Sequence, residues 1–192
     1  MHETTKSIPR RLRDVQYVRY FAGNGIDVGC GNDSLRQWQP LFPLMGDVRD
    51  WDLADGNAQR LPGISEAAFD WLHSSHCLEH VADPCAALER WCNVVRPGGH
   101  LIVLVPDEDL YEQGVWPSPY NRGHRHTFTT CKRQSWSPVS VNICDLVATV
   151  ADVAFLVRLE RLEATFLPGA NADQTLNGVT EAAIEFVLRR TK

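Results

Sequence analysis

Three groups of residues in this chain have the types and spacing to do chemistry. The first is Gly25-Ile26-Asp27-Val28-Gly29-Cys30-Gly31, a short apolar run ending in two glycines one residue apart. Glycines there permit positive φ and let a ligand approach the backbone, while a carboxylate two residues earlier suits a cationic ligand. The second group is His73, His76, Cys77 and His80. On a helix His76 and His80 would share a face. This run reads instead as a strand end turning into a loop, where that spacing does not converge ligands. No metal site is expected, and His76 is a candidate base or substrate contact. The third group follows an apolar strand: Asp107, Tyr111, Trp116, Tyr120, Arg122, His124 and His126. Asp107 and His124 are further base candidates. Tyr111, Trp116 and Arg122 are candidate contacts in a loop able to close over an anionic or sugar-like acceptor.

These groups need a scaffold, and the chain of 192 residues is long enough for one α/β domain. With 19 basic and 24 acidic residues the net charge is −5, which opposes nucleic acid or an anionic membrane as the main partner. Hydrophobic residues at 44% and charged residues at 22% are ordinary globular values, so a folded core is expected. No apolar run approaches the roughly 18 residues of a membrane span, and the first residues are charged rather than apolar. A cytoplasmic protein is the expectation. The six cysteines are irregularly spaced and form no C-x-x-C, so they read as reduced thiols.

The first 22 residues set Leu12, Val15, Val18 and Phe21 at helical spacing among Lys6, Arg10, Arg11, Arg13 and Arg19, predicting an amphipathic helix with a solvated basic face. Strands are predicted at 25–28, at 43–46 ending on Asp47, at 70–74 and, most cleanly, at 100–105. Asp83-Pro84 opens a helix as cap and first residue, with Cys85, Leu88, Trp91 or Cys92 and Val95 on its buried stripe, and Arg96-Pro97-Gly98-Gly99 ends it. Ser137-Pro138 repeats the cap signature ahead of Ile143, Leu146, Val147 and Val150. Two strands, 155–166 and 182–188, close the chain around a polar connection at 168–179. Strands alternating with helices imply a doubly wound, mostly parallel sheet in one domain: an N-terminal helix (1–22), a ligand-binding half (23–106) and a substrate-side part (107–192).

A dinucleotide loop would read G-x-G-x-x-G, but here the third glycine position holds Ser34 and Asp33 adds negative charge. An NAD-dependent oxidoreductase is therefore disfavoured. The stretch from Gly25 to Gly31 instead resembles motif I of the class I S-adenosylmethionine-dependent methyltransferases. In the same order, Asp47 resembles their acidic second-strand residue, which holds ribose hydroxyls. Gly56-Asn57-Ala58-Gln59-Arg60-Leu61-Pro62 resembles their adenine-side loop. The run from Phe69 through Ser75 and His76 to Leu78-Glu79-His80 resembles the fourth strand and its continuation, and Arg96-Pro97-Gly98-Gly99 the turn before the fifth. The later run around Tyr111, with His124, is similar to a bacterial branch, methyltransferase type 11-like, often met beside surface-polysaccharide functions.

The resemblance implies a seven-stranded Rossmann-like sheet with an antiparallel last strand, and S-adenosylmethionine bound by Asp27, Gly29, Cys30, Gly31, Asp47, Asn57, Ala58 and Ser75. It implies methyl transfer to an oxygen or nitrogen of a small-molecule or saccharide acceptor. His124 matches the branch pattern and His126 does not; a packing role for Glu79 and His80 weighs as much as a functional one. Two departures stand out: Asp33 replaces a glycine and Asn57 an aspartate. They keep a non-catalytic S-adenosylmethionine-binding protein as the alternative. The short, proline-containing stretch from Gly31 to Asp47 predicts a short or broken helix, and the spacing from Asp47 to Asn57 predicts a stunted third-strand edge. The acceptor would be held by loops, by the N-terminal helix or by a second subunit, as in a homodimer.

Overall fold

The computed structural model describes residues 2–192. Its elements are α1 (Glu3–Arg13), α2 (Gln16–Tyr20), β1 (Gly23–Val28), β2 (Met45–Trp51), β3 (Phe69–Ser75), α3 (Pro84–Val94), β4 (Val95–Pro106), β5 (Thr127–Thr129), β6 (Ser140–Asn142), α4 (Ile143–Ala148), β7 (Ala154–Leu162) and β8 (Ala183–Arg190), with 3-10 turns at Leu35–Leu41, Leu78–His80 and Gln174–Leu176. Six strands form one sheet in the order β2-β1-β3-β4-β8-β7, and β5 pairs with β6 separately. The first four are parallel, and β8 runs antiparallel to both β4 and β7.

The count is six strands where seven were expected. Residues 52–68 pass from β2 to β3 as turns, so β2 is left as the edge and the stunted strand is absent. The connection from β1 to β2 holds one short 3-10 helix, Leu35–Leu41, which contains Pro40, so the helix is short as expected. Its start is capped by Ser34, whose Oγ accepts from Arg36 N.

One face of the sheet buries Ile26, Leu72, Leu101, Val103 and Phe186 against Leu88, Trp91 and Leu146 of α3 and α4. The other buries Trp71, Ile102 and Val187 under Ile8, Tyr17, Tyr20 and Phe21 of α1 and α2. Strand alternation splits the two sets, since neighbouring side chains point to opposite faces. Asp83 caps α3 through Cys85 N and Ala86 N, with Pro84 in the first helical position.

Three local expectations are corrected. Strand β2 begins near where the sequence pattern had it end, because Asp47, Arg49 and Asp50 are tolerated on an edge strand that pairs Gly25 with Val48 and Val28 with Trp51. Helix α4 is capped by Asn142, not Ser137; Ser140–Asn142 is drawn into a strand beside Thr127–Thr129 first.

The third correction concerns the expected single N-terminal helix, which is two, α1 and α2, and keeps the expected faces only in part: Phe21 is buried and Arg13 and Arg19 are exposed. Leu12 and Val15 are exposed, while Lys6 and Arg11 are buried. Glu185, fully buried on β8, takes Arg11 through Nε at 3.1 Å and Nη2 at 2.6 Å, and Arg10 Nη1 at 2.9 Å. Tyr17 Oη also donates to it. A carboxylate inside the core requires compensating charge, and that demand overrides the apolar stripe.

Candidate active site

Strand β1 delivers its glycines at the carboxyl edge of the parallel strands, where α/β sheets bind ligands. Gly29 and Gly31 have φ of +75° and +50°. A Cβ on Gly29 would lie 2.5 Å from Cys77 Cβ, whereas a Cβ on Gly31 would meet open space. Gly29 N donates to Trp51 O at 2.8 Å, which pins the turn to the end of β2.

Behind the turn lies a buried polar chain. Arg11 Nη1 is 3.0 Å from His73 Nε2, and His73 Nδ1 is 2.7 Å from Asp27 Oδ1. Arginine can only donate, so His73 Nε2 accepts and its Nδ1 carries the proton that Asp27 receives. Asp27 Oδ2 accepts from Leu35 N at 2.7 Å, which starts the turn after the glycine loop. Asp33, the residue in place of the third glycine, accepts from Thr5 N at 3.0 Å and from Thr5 Oγ1 at 2.5 Å. The departure therefore has a structural use: it ties the loop to α1.

Two cavities open on this edge. The larger, about 540 Å³, is bounded by Gly29, Asp52, Gly56, Asn57, Ala58 and Cys77. The smaller, about 230 Å³, runs from Gly29, Cys30 and Gly31 past Ser75 and His76 to Glu79, Tyr111 and His124, and is roofed by Glu3 and Thr4 of α1. Gly29, His76 and His80 line both.

The smaller cavity carries the charge. Glu79 is fully buried and, among the described residues, neither carboxylate oxygen has a hydrogen-bond partner. His76 Nδ1 approaches its Oε1 to 3.5 Å, and His76 Nε2 is 3.8 Å from Glu3 Oε2. Burial works against the charge on Glu79, but His76 first, then His80 and His124, hold it below the ordinary carboxylate range. Burial likewise opposes a charge on His76, yet Glu79 and Glu3 raise it above the ordinary imidazole value. His124 Nδ1 lies 2.7 Å from Glu112 Oε1, and burial pushes the Glu112 carboxyl up. Tyr111 stacks on His124 at 5.3 Å, and its buried hydroxyl has no partner.

Gly29, Cys30, Gly31, Asn57, Ala58, Ser75, His76, Tyr111 and His124 come together around the two cavities. Five other positions are corrected. Asp27 is buried behind the glycine turn and lines neither cavity. Asp47 sits near the start of β2, exposed, and the carboxylate reaching the larger cavity from the end of that strand is Asp52. Asp107 is buried, accepting from Asp109 N and Leu110 N and pairing with Arg161 at 3.2 Å. Its burial pushes the carboxyl up to about 6. Trp116 and Arg122 lie outside both cavities, because the loop folds inward at Tyr111, Asn121 and His124 instead.

Asp52, Glu3 and Glu79 join the site as additions. Extending β2 to Trp51 would have pointed to Asp52. Glu79 stands in the Leu78-Glu79-His80 run already noted, whereas nothing local marks Glu3.

The larger cavity fits the nucleoside part of S-adenosylmethionine. The glycine cradle admits no Cβ at Gly29, a carboxylate at Asp52 can accept from two vicinal hydroxyls, and Asn57 and Ala58 form a neutral wall. Cys30 and Gly31 open toward the smaller cavity, where carboxylates would suit a cationic amino or sulfonium group.

Residues 8–132 match a family model described as a methyltransferase domain. Among solved structures, a Listeria monocytogenes protein named for S-adenosylmethionine-dependent methyltransferases superposes with a TM-score of 0.61 at 12% identity, over 99% of this chain and 98% of that one. The 1,6-didemethyltoxoflavin-N1-methyltransferase of Burkholderia thailandensis, solved with 1,6-didemethyltoxoflavin and S-adenosylhomocysteine, gives 0.53 at 19% identity, over 99% and 80%. An uncharacterized 37.1 kDa protein in transposon TN4556 of Streptomyces fradiae is 39% identical over 54 residues, which are 28% of this chain and 15% of that protein.

Proposed function

The chain belongs to the methyltransferase-domain family, and from that premise we propose that it moves a methyl group from S-adenosylmethionine to an oxygen or nitrogen of a small-molecule or saccharide acceptor held in the smaller cavity. The observation that carries this reading is the junction: the larger, nucleoside-sized cavity and the smaller, charged one share Gly29, His76 and His80. In-line displacement needs donor and acceptor on opposite sides of one point, and the junction supplies it.

S-Adenosylmethionine supplies an electrophilic methyl group on a sulfonium. The chain's residues hold and orient. Asp52 accepts from ribose hydroxyls, the Gly29–Gly31 turn presents backbone to the methionine end, and Glu3 and Thr4 of α1 cover the smaller cavity against water. Unpartnered buried groups on the acceptor side, among them Tyr111 Oη and His76 Nε2, call for a ligand that hydrogen-bonds. Hydroxyl- or amine-bearing acceptors answer that demand better than apolar ones. His76, at the junction, contacts the acceptor and receives its proton where the nucleophile is neutral.

The test is thermal unfolding with S-adenosylmethionine, S-adenosylhomocysteine and NADH, followed by transfer of labelled methyl to panels of saccharides and amines. A ligand at about 100 times its Kd adds roughly 2.7 kcal/mol. At about 2–4 °C per kcal/mol, the two sulfur nucleosides should raise the midpoint by about 5–10 °C and NADH should not. Binding without transfer to any acceptor would leave a non-catalytic binding protein, and no binding would overturn the proposal.

A further inference from the structure

We propose that Glu79, His80 and His124 form a binding site for one divalent transition-metal cation in the wall of the smaller cavity. Glu79 Oε1 lies 3.9 Å from His80 Nε2 and 3.9 Å from His124 Nε2, and the three ligand atoms lie within 4.8 Å of one another. The histidines come from segments far apart in sequence. The main chain clamps them together, since Arg125 N donates to Glu79 O at 2.8 Å and His126 N to the same oxygen at 3.3 Å.

The hydrogen bonds on the far side of each ring carry the inference. His80 Nδ1 is 2.9 Å from Gly123 O, and a carbonyl can only accept, so Nδ1 holds the proton and Nε2 presents a lone pair. His124 Nδ1 lies 2.7 Å from Glu112 Oε1, which accepts from it when the carboxyl is ionised and so leaves Nε2 with its lone pair. Metal-bound histidines are oriented by this pattern, with the second nitrogen donating to a carbonyl or carboxylate. Two imidazole lone pairs and a fully buried carboxylate without hydrogen-bond partners thus converge on one point. A cation between them would neutralise the carboxylate and take both lone pairs.

Two imidazoles and one carboxylate select a first-row transition ion over magnesium or calcium, and three protein ligands leave positions open to the cavity. With ligand bonds of about 2.0–2.2 Å in a tetrahedral set, neighbouring donors would stand about 3.3–3.6 Å apart. Closure from 3.9 Å at Glu79, and from within 4.8 Å across the set, asks for side-chain adjustment. The competing occupant is a proton, which would make His76, His80 or His124 an imidazolium against Glu79, His76 Nδ1 standing nearest at 3.5 Å. The site does not depend on the acceptor proposed above, and its test reads metal directly.

The chelator-stripped full chain should be titrated with Mn2+ and followed by the loss of the free-ion paramagnetic resonance signal; Mn2+ prefers nitrogen and oxygen donors and so stays off the six thiols. Zn2+ and Co2+ then compete for the same site. The expected result is one ion per chain. His124→Ala and His80→Ala should each lose at least ten-fold in affinity, and Glu112→Gln about 10–100-fold. Unchanged circular dichroism and melting would show that each variant is folded. Absence of stoichiometric Mn2+, Zn2+ or Co2+ uptake by the unaltered chain would overturn the proposal. So would undiminished uptake in folded His124→Ala, or nuclear magnetic resonance showing His80 and His124 titrating identically with and without metal.

Discussion

Arg11 Nη1 and His73 Nε2, 3.0 Å apart, join the N-terminal helix to the middle of β3. Through them a continuous line of buried hydrogen bonds runs from Glu185 on β8 to Asp27 at the end of β1 and on to Leu35 N. Folding of α1 onto the sheet and shaping of the glycine turn are thereby coupled.

Breaking that line should therefore cost stability and ligand affinity together. Arg11→Met leaves His73 without its donor and Glu185 with only Arg10 and Tyr17, and should destabilise the chain by about 3–5 kcal/mol in urea unfolding. Affinity for S-adenosylhomocysteine, measured calorimetrically below the unfolding range, should fall with it. An unchanged urea midpoint would contradict the coupling.

The two glycines should fail differently. Gly29→Ala places a Cβ 2.5 Å from Cys77 Cβ at positive φ, and should lose about 1–3 kcal/mol of stability as well as ligand binding. Gly31→Ala meets no protein atom, so its stability loss should stay near 1 kcal/mol while the added methyl intrudes on the ligand. Melting curves recorded with and without S-adenosylhomocysteine separate the two effects.

Asp52 and Asp47 provide a paired comparison at opposite ends of β2. Asp52→Ala should weaken S-adenosylhomocysteine about 10–100-fold, the worth of hydrogen bonds to a charged acceptor. Asp47→Ala, on an exposed position outside both cavities, should leave the affinity within about two-fold. The reverse order in isothermal titration would return the ribose contact to Asp47.

Asp107 should give stability a pH slope. Its carboxyl is pushed up to about 6 by burial, so the folded state holds a proton that the unfolded state has released. Between about pH 4 and pH 6 the folded chain binds more protons than the unfolded one, and stability falls as pH rises through that window. The contribution is about 2–3 kcal/mol, and is flat above it. Asp107→Asn keeps the acceptor for Asp109 N and Leu110 N and should remove this part of the slope in urea titrations at stepped pH.

Features set by neighbours in sequence were legible in the sequence. The Asp83-Pro84 cap, the short helix around Pro40, the glycine turn after β1 and the apolar β4 all follow from local sterics and hydrogen bonding, which act over a few residues. The order of motifs likewise placed Gly29, Asn57, Ser75 and His76 at one edge of a parallel sheet, and they line its cavities. Tertiary structure decided what depends on partners distant in the chain. The face α1 buries was set by Glu185, which lies 174 residues from Arg11 and whose charge no helical periodicity reveals. Edge position, not composition, let β2 keep its charges and set Asp52, not Asp47, on the wall of the larger cavity. His80 and His124 meet because one loop's main chain bonds the other's, and their spacing in sequence carries no trace of it. Local chemistry is written residue by residue, whereas a buried charge or a converging ligand set exists only once the chain has closed around it.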